Sequence, residues 1–241
     1  MTLDSEAPRP GRPAERLLVL GANGPTGRLT VQQALDRGFA VTALTRRPES
    51  FPVAHERLTV VGGDATDAAM MDTAITGCDA VISTIGTAYT WKPVDVYSAS
   101  GRLVVDAMRR AGLRRLIVVT SMGAPREHHG GGVAQTLLLR LLRMTFTRTL
   151  YDDMLRLERI VSTSGLDWTI VRPPGLSDDP GTGYAIADTR IDEPGMARSD
   201  LAALLLDQVT DTAWIHRTAG VATPGLRLDV VKTIRREVLK R

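Results

Sequence analysis

Short apolar runs alternate with longer amphipathic stretches along this chain. Leu17 to Leu20 is uninterruptedly apolar and the segment from Arg28 to Arg37 has helical spacing, which predicts a strand followed by a helix. Phe39 to Thr45 (FAVTALT) alternates and is rich in β-branched residues, so it reads as a second strand ending at Thr45. Leu58 to Val61 predicts a third strand, a helix capped by Asp67 runs through Ile75, and Asp79 to Ile85 (DAVISTI) predicts a fourth strand. Val94 to Ala111 carries Val96, Val104, Val105 and Met108 at helical spacing, whereas Arg114 to Ser121 (RRLIVVTS) is nearly continuous in apolar residues. The latter is the signature of a strand covered on both faces. Asp167 to Arg172 (DWTIVR) reads as a sixth strand halted by Pro173 and Pro174, with Trp168 in the core. Ser199-Asp200 opens a helix over Leu201 to Val209, and Thr218 to Thr223 reads as an edge strand. Leu228 to Arg241 has the pattern of an amphipathic helix with a solvated cationic face.

Strands and helices alternating at this spacing predict an α/β fold, a single domain with a doubly wound parallel sheet, whose ligand lies beyond the carboxyl ends of the strands. Residues 1–14, rich in proline and charge, read as a flexible leader. Residues 15–241 read as the domain, with substrate elements expected near 123–150 and 174–195. The 241 residues suffice for a full core without disulfides or metals. No apolar run reaches 18 residues, so no membrane span is expected. A single cysteine, Cys78, fits a structural thiol and a cytoplasmic location. The net charge of +3 suits small anionic ligands and does not require nucleic acid. His128 and His129 are adjacent without a matched third ligand, and no metal is expected. Between Gln135 and Phe146 (QTLLLRLLRMTF), an apolar helix with Arg140 and Arg143 reads as a lid over an apolar substrate or a contact between copies in a homodimer, ahead of an interfacial membrane element, for which two arginines are too few.

The chemistry centres on Gly21-Ala22-Asn23-Gly24-Pro25-Thr26-Gly27, where the first strand turns into the first helix. Three glycines at spacing G-x-x-G-x-x-G in that context match a dinucleotide-binding Rossmann turn. Gly21 makes the turn, Gly24 admits a pyrophosphate close to the backbone, and Gly27 lets helix and strand pack. At the end of the second strand an NAD site commonly holds a carboxylate for the ribose hydroxyls. Here Thr45 is followed by Arg46 and Arg47, two guanidiniums suited to a 2′-phosphate, so NADP(H) is the expected cofactor. Asp64, with Ala65 after it, is placed to accept from the adenine amino group, to cap the next helix or to brace its turn. Gly86 and Thr87, beyond Ile85, offer room for a cofactor backbone, and Ser121 ends the fifth strand with a hydroxyl at the ligand face.

GANGPTG, VTALTRR, VVGGDATD, DAVISTIGT, VVTSMG, the segment from Tyr151-Asp152-Asp153 to Ser164-Gly165, and WTIVRPPGLSDDPGTG extend over most of Leu17 to Thr223. Together they resemble the atypical short-chain dehydrogenase/reductases of the NmrA-like group, nearest its NADPH-dependent flavin and biliverdin reductases. The resemblance implies that Thr26, Arg46, Asp64, Gly86, Thr87, Arg102, Ser121 and Pro173 lie near the cofactor. With the residues read directly, the cofactor set comprises Gly21, Asn23, Gly24, Pro25, Thr26, Gly27, Arg46, Arg47, Asp64, Ala65, Ile85, Gly86, Thr87, Arg102, Ser121 and Pro173. Ser121 and Tyr151 are the catalytic candidates.

Two departures bear on the reaction. Short-chain dehydrogenases pair their tyrosine with a lysine, but Leu155 stands four residues after Tyr151, and alignment on Ser164-Gly165 puts the lysine position at Met154. Phenols ionise near pH ~10, so without a cation a tyrosine is a poor base at neutral pH. Alcohol oxidation is therefore disfavoured, and reduction of an apolar or aromatic acceptor such as a flavin, quinone or conjugated carbonyl is expected. The flavin reductases' two pocket histidines correspond to Met154 and Gly175. A non-enzymatic NADP(H) sensor and an isomerase or dehydratase with structural NADP are the alternatives.

Overall fold

The computed structural model describes residues 15–88, 90, 92–124, 148–188 and 191–226. The leader 1–14, His128 and His129, the stretches 135–146 and 228–241, and most of 123–150 lie outside the described residues. The elements in chain order are β1 (Arg16–Leu20), α1 (Pro25–Asp36), β2 (Ala40–Thr45), β3 (Leu58–Gly62), α2 (Ala68–Ile75) and β4 (Ala80–Ser83). Next come α3 (Val96–Ala111), β5 (Arg115–Val119), α4 (Arg148–Ser162), β6 (Asp167–Arg172), β7 (Gly175–Ser177) and β8 (Ala185–Ala187). Then follow β9 (Gly195–Ala197), α5 (Arg198–Thr210) and β10 (Arg217–Ala222).

One sheet runs β3-β2-β1-β4-β5-β6-β10-β8, parallel throughout except for the antiparallel β10–β8 pair. This is the doubly wound order expected of a Rossmann domain, with the reversal of winding beside β1. Helices cover both faces, which is why the central strands read as apolar runs. In β1, Leu18 and Leu20 enter the core beneath α2, α3 and α4, while Leu17 and Val19 enter the core beneath α1 and α5. Separately, β7 and β9 form a small parallel pair.

Local chemistry sets the element ends. The Asp67 carboxylate caps α2 by accepting from the N–H groups of Ala69 and Met70. Gly112 ends α3 in the left-handed region at φ 70°, and Leu113 N–H returns to Met108 O at 2.9 Å. Arg115 donates to the Gln208 carbonyl, closing the end of α5, and also to Asp167 O and Thr169 Oγ1. Its burial pulls the guanidinium down to about 10. Cys78 is buried against Thr42 and Ala74, and burial pushes its thiol up to about 11, which suits a packing role.

Two expectations change. The strand expected at the edge over Thr218 to Thr223 is internal: β10 lies between β6 and the three-residue β8, whose neighbours carry no strand-like alternation. Ser177 to Gly183, within the expected substrate element 174–195 and readable from its sequence as a mobile loop able to close over substrate, is tied to the start of α5. Asp178 pairs with Arg198 at 2.6 Å, Thr182 N–H donates to Asp200 at 3.1 Å, and a Cβ on Gly181 would meet Asp200 at 2.0 Å. Trp168 is half-buried against the core, its ring centroid 5.9 Å from that of His216.

Candidate active site

Because β1 through β6 are parallel neighbours, the chain segments that leave their carboxyl ends meet along one edge of the sheet. Gly21 to Gly27 follow β1, Arg46 and Arg47 follow β2, and Asp64 and Ala65 stand just past β3. Ile85 to Thr87 follow β4, Ser121 follows β5, and Pro173 follows β6. Arg102 differs in origin: it lies on the exposed side of α3, in the helix's second turn.

Steric demand explains the glycines. Gly21 adopts φ 74°, and a Cβ there would sit 2.8 Å from the Thr84 backbone. On Gly27 a Cβ would sit 2.2 Å from Gly21 O and 2.8 Å from the Ala22 Cα. The helix thus rests directly on its own turn. Gly24 N–H donates to Gly21 O at 2.9 Å, and a Cβ on Gly24 would lie 3.2 Å from the same oxygen. Gly24 supplies no side-chain cap to α1 and the first helical turn has no acidic residue. The Thr26 and Gly27 N–H groups precede the first intrahelical bond, from Arg28 N–H to Gly24 O, so the helix start offers donors and partial positive charge to an anion. Asn23 accepts from Arg28 at 2.9 Å, and Pro25 stands exposed at the first helical position.

At the next two strand ends the charges are arranged around one carboxylate. Asp64 accepts from both the N–H and the hydroxyl of Thr66, at 2.9 and 2.7 Å, so it braces the turn before α2. Those bonds hold its carboxyl below the usual carboxylate range, and the nearby Arg46 adds a smaller pull. Arg46 and Arg47 are both exposed, and Arg47 N–H bonds Thr45 Oγ1 at 3.2 Å where the chain turns away. Two exposed guanidiniums, and no carboxylate, occupy the first two positions after β2.

Gly86 stands in the open. Nothing lies within 4 Å of the Cβ it lacks. Its glycine therefore answers no contact inside the folded chain. Gly86→Val is expected to leave the melting temperature within about 2 °C of wild type, because uncrowded surface substitutions rarely cost more than ~0.5 kcal/mol. If a cofactor backbone passes there, the same variant weakens NADPH binding in a calorimetric titration; unchanged affinity would remove Gly86 from the cofactor set.

Ser121 accepts from Gly123 N–H at 3.1 Å, so its hydroxyl braces the bend after β5 while its proton remains available for donation. Tyr151 lies on α4, half-buried against the core. The position that would carry a lysine holds Met154, 7% exposed in the same core, and Leu155 beside it is also packed there. Both are apolar and in place. Neither of these two positions therefore carries an ammonium group.

Three polar groups escaped the sequence reading. Tyr97, in the first turn of α3, is 3% exposed, and its hydroxyl accepts from Thr87 N–H at 3.3 Å. Burial pushes this phenol up, which keeps it a neutral donor. Asp153 of α4 is fully buried and accepts from Tyr97 N–H and Ser98 N–H at 2.9 and 3.2 Å, capping α3 from another helix. Glu158, also on α4, is buried with Thr120 and Arg172. The legible signal was in α4 itself: Asp153 and Glu158 interrupt the buried stripe of Leu150, Met154, Leu157 and Val161, and buried carboxylates require partners.

A cavity of about 280 Å³ opens along α4, lined by Leu155, Glu158, Arg159, Ser162, Ile170 and Thr218. None of the glycine-turn residues contributes to it. Among the described residues, no group of three or more metal-ligating side chains occurs, and no helix is long and apolar enough to cross a membrane.

The model of the NAD(P)H-binding family matches residues 21–212, a span from the glycine turn to the end of α5. The chain belongs to that family. This agrees with the resemblance to atypical short-chain dehydrogenase/reductases of the NmrA-like group. An uncharacterised chloroplastic protein of Arabidopsis thaliana is 29% identical over 185 residues, covering 72% of this chain. The chain spans 64% of that relative's length. Among solved structures, ChuY, an anaerobillin reductase from Escherichia coli O157:H7, superposes with a TM-score of 0.69 at 25% identity, covering 88% of this chain and 99% of that one. A short-chain dehydrogenase/reductase from Veillonella parvula in complex with NADP shares the fold with a TM-score of 0.72 at 21% identity, covering 90% of this chain and 98% of that one.

Proposed function

We propose that this chain is a cytoplasmic NADPH-dependent reductase of a small apolar or aromatic acceptor such as a flavin, quinone or conjugated carbonyl. The observation that carries the reading is the strand-tip edge itself: an acid-free helix start on a glycine turn, with two arginines and no carboxylate in the two positions directly after β2. The likeness to an anaerobillin reductase supports the reductive direction.

In this reading the Thr26 and Gly27 amides and the dipole of α1 hold the pyrophosphate, with Asn23, Gly24 and Pro25 shaping the turn. Arg46 and Arg47 hold the 2′-phosphate, Asp64 and Ala65 border the adenine, and Ile85, Gly86, Thr87 and Arg102 border the remaining backbone. When bound, NADPH supplies two electrons and one hydrogen to the acceptor as hydride, and the second hydrogen arrives as a proton from water. Ser121 and Pro173 border the nicotinamide, with the Ser121 hydroxyl donating to an amide or carbonyl oxygen there. Tyr151 orients the acceptor by hydrogen bonding. Met154 and Leu155 are apolar, so neither of the two positions where a lysine would be sought supplies the cation that proton abstraction from an alcohol demands.

Stopped-flow loss of NADPH absorbance against a panel of flavins, quinones and enones tests the proposal. Consumption of NADPH with at least one acceptor class is expected. Tight NADPH binding with no consumption across the panel would instead favour a cofactor-sensing protein, the second reading that the missing lysine supports. Capture of a protein partner only in the presence of NADP(H) would then be the expected signature.

A further inference from the structure

Glu158 receives three hydrogen bonds from two strands. Thr120 Oγ1 donates to Oε1 at 2.8 Å, Arg172 Nε donates to Oε1 at 2.9 Å, and Arg172 Nη2 donates to Oε2 at 2.6 Å. Glu158 is 8% exposed, so these three donors meet most of its carboxylate's demand for hydrogen bonds. Thr120 is the residue immediately before Ser121, and Arg172 is the residue immediately before Pro173. Beyond the regular strands the two chains remain in register: Thr120 N–H donates to Val171 O at 2.9 Å and Met122 N–H to Pro173 O at 3.0 Å. Tyr151 precedes Glu158 by seven residues on α4, two helical turns, which puts both on one side of that helix.

We infer that Glu158 is a positioning residue that sets the tips of β5 and β6 and the rotation of α4 relative to one another, and thereby aligns Ser121, Pro173 and Tyr151. The inference rests on the reductase reading for its catalytic consequence. The alignment itself does not depend on that reading. A fork from Arg172 fixes the carboxylate plane, because a guanidinium and a carboxylate meet along two parallel bonds. The Thr120 hydroxyl then has one direction in which to donate, and the main chain at Ser121 follows from it. A carboxylate that only stabilised the fold would serve as well anywhere along the strands; this one sits one residue short of each site position.

Glu158→Gln strips the half-buried Arg172 of its counter-charge and risks destabilising the fold. Thr120→Val keeps the shape and the ion pair and removes only the arm to β5, and Thr120→Ser restores the hydroxyl. For Thr120→Val, kcat for NADPH consumption is expected to fall about 10- to 100-fold, because sub-ångström misplacement of reacting groups costs that much. The Kd for NADPH, held mainly at the glycine turn and after β2, is expected to change less than about threefold, as for sites that do not couple. Hydrogen exchange at the Met122 and Gly123 amides is expected to quicken about tenfold through local opening. Thr120→Ser is expected to return all three measures toward wild type. Unchanged kcat and exchange in Thr120→Val, or a fall in kcat no larger than the lost folded fraction, would overturn the inference. Should the wild-type chain consume no NADPH with any acceptor, the reductase reading falls and exchange at Met122 and Gly123 decides the alignment role alone: faster exchange in Thr120→Val with rescue by Thr120→Ser supports it, and unchanged exchange overturns it.

Discussion

Gly27→Ala is expected to abolish measurable NADPH binding while leaving the sheet folded. The added Cβ would lie 2.2 Å from Gly21 O, 2.8 Å from the Ala22 Cα and 2.9 Å from Gly21 C, all of them backbone atoms without rotamers to yield. Relief requires α1 to lift off its own turn. Overpacking of this kind costs about 1–3 kcal/mol. That cost falls where the helix start must face an anion, so a shift of the Thr26 and Gly27 amides removes the cradle itself. Affinity for NADPH is expected to drop at least ~100-fold, the scale set by losing two or more hydrogen bonds to a charged group. Calorimetry reads the binding and far-ultraviolet circular dichroism the fold. A native spectrum with unaltered affinity would show that the glycine turn does not hold the cofactor.

Arg46→Ala is expected to separate the two nicotinamide coenzymes. Arg46 is exposed just past the end of β2 and close enough to Asp64 to favour its ionised form. A hydrogen bond to a charged group contributes about 1.5–3 kcal/mol, so loss of the guanidinium is expected to weaken NADPH roughly 10- to 150-fold. NADH lacks the 2′-phosphate, and its affinity is expected to move less than about threefold, as for exposed charges in general. Fluorescence titrations with both coenzymes decide the matter, and equal losses would reject the assignment. If Arg46 holds the 2′-phosphate, raising the ionic strength is expected to weaken NADPH binding more than NADH binding, since an exposed phosphate contact is screened by salt.

How legible this architecture was depended on how many faces each element buries. β1 and β5 are covered on both sides, so their apolar runs announce them, and β2 was legible from its alternation and β-branched residues; β6 could be read to the residue because prolines stop it at Arg172. β10 was readable as a strand but not as an internal one, since its outer partner is only Ala185–Ala187. The glycine turn was readable because sterics leave few alternatives at Gly21 and Gly27. Asp64 kept several readings open in the sequence. The structure shows the brace, with Thr66 as partner. Tyr97, Asp153 and Glu158 were missed for a common reason: their partners Thr87, Ser98, Thr120 and Arg172 lie on other elements, and spacing along one helix does not disclose a bond between two.

The strand order also governs how the polypeptide matures. β1 leaves the ribosome before the other described strands, yet one of its two neighbours, β4, is translated only after β2 and β3. The outer flank of β6 waits still longer, for β10, the last strand described. Until then a nascent chain carries unsatisfied peptide groups along the β6 margin of a half-built platform. Such intermediates self-associate readily. Recombinant production at lower temperature, or with chaperones supplied, follows directly from the way these strands are interleaved.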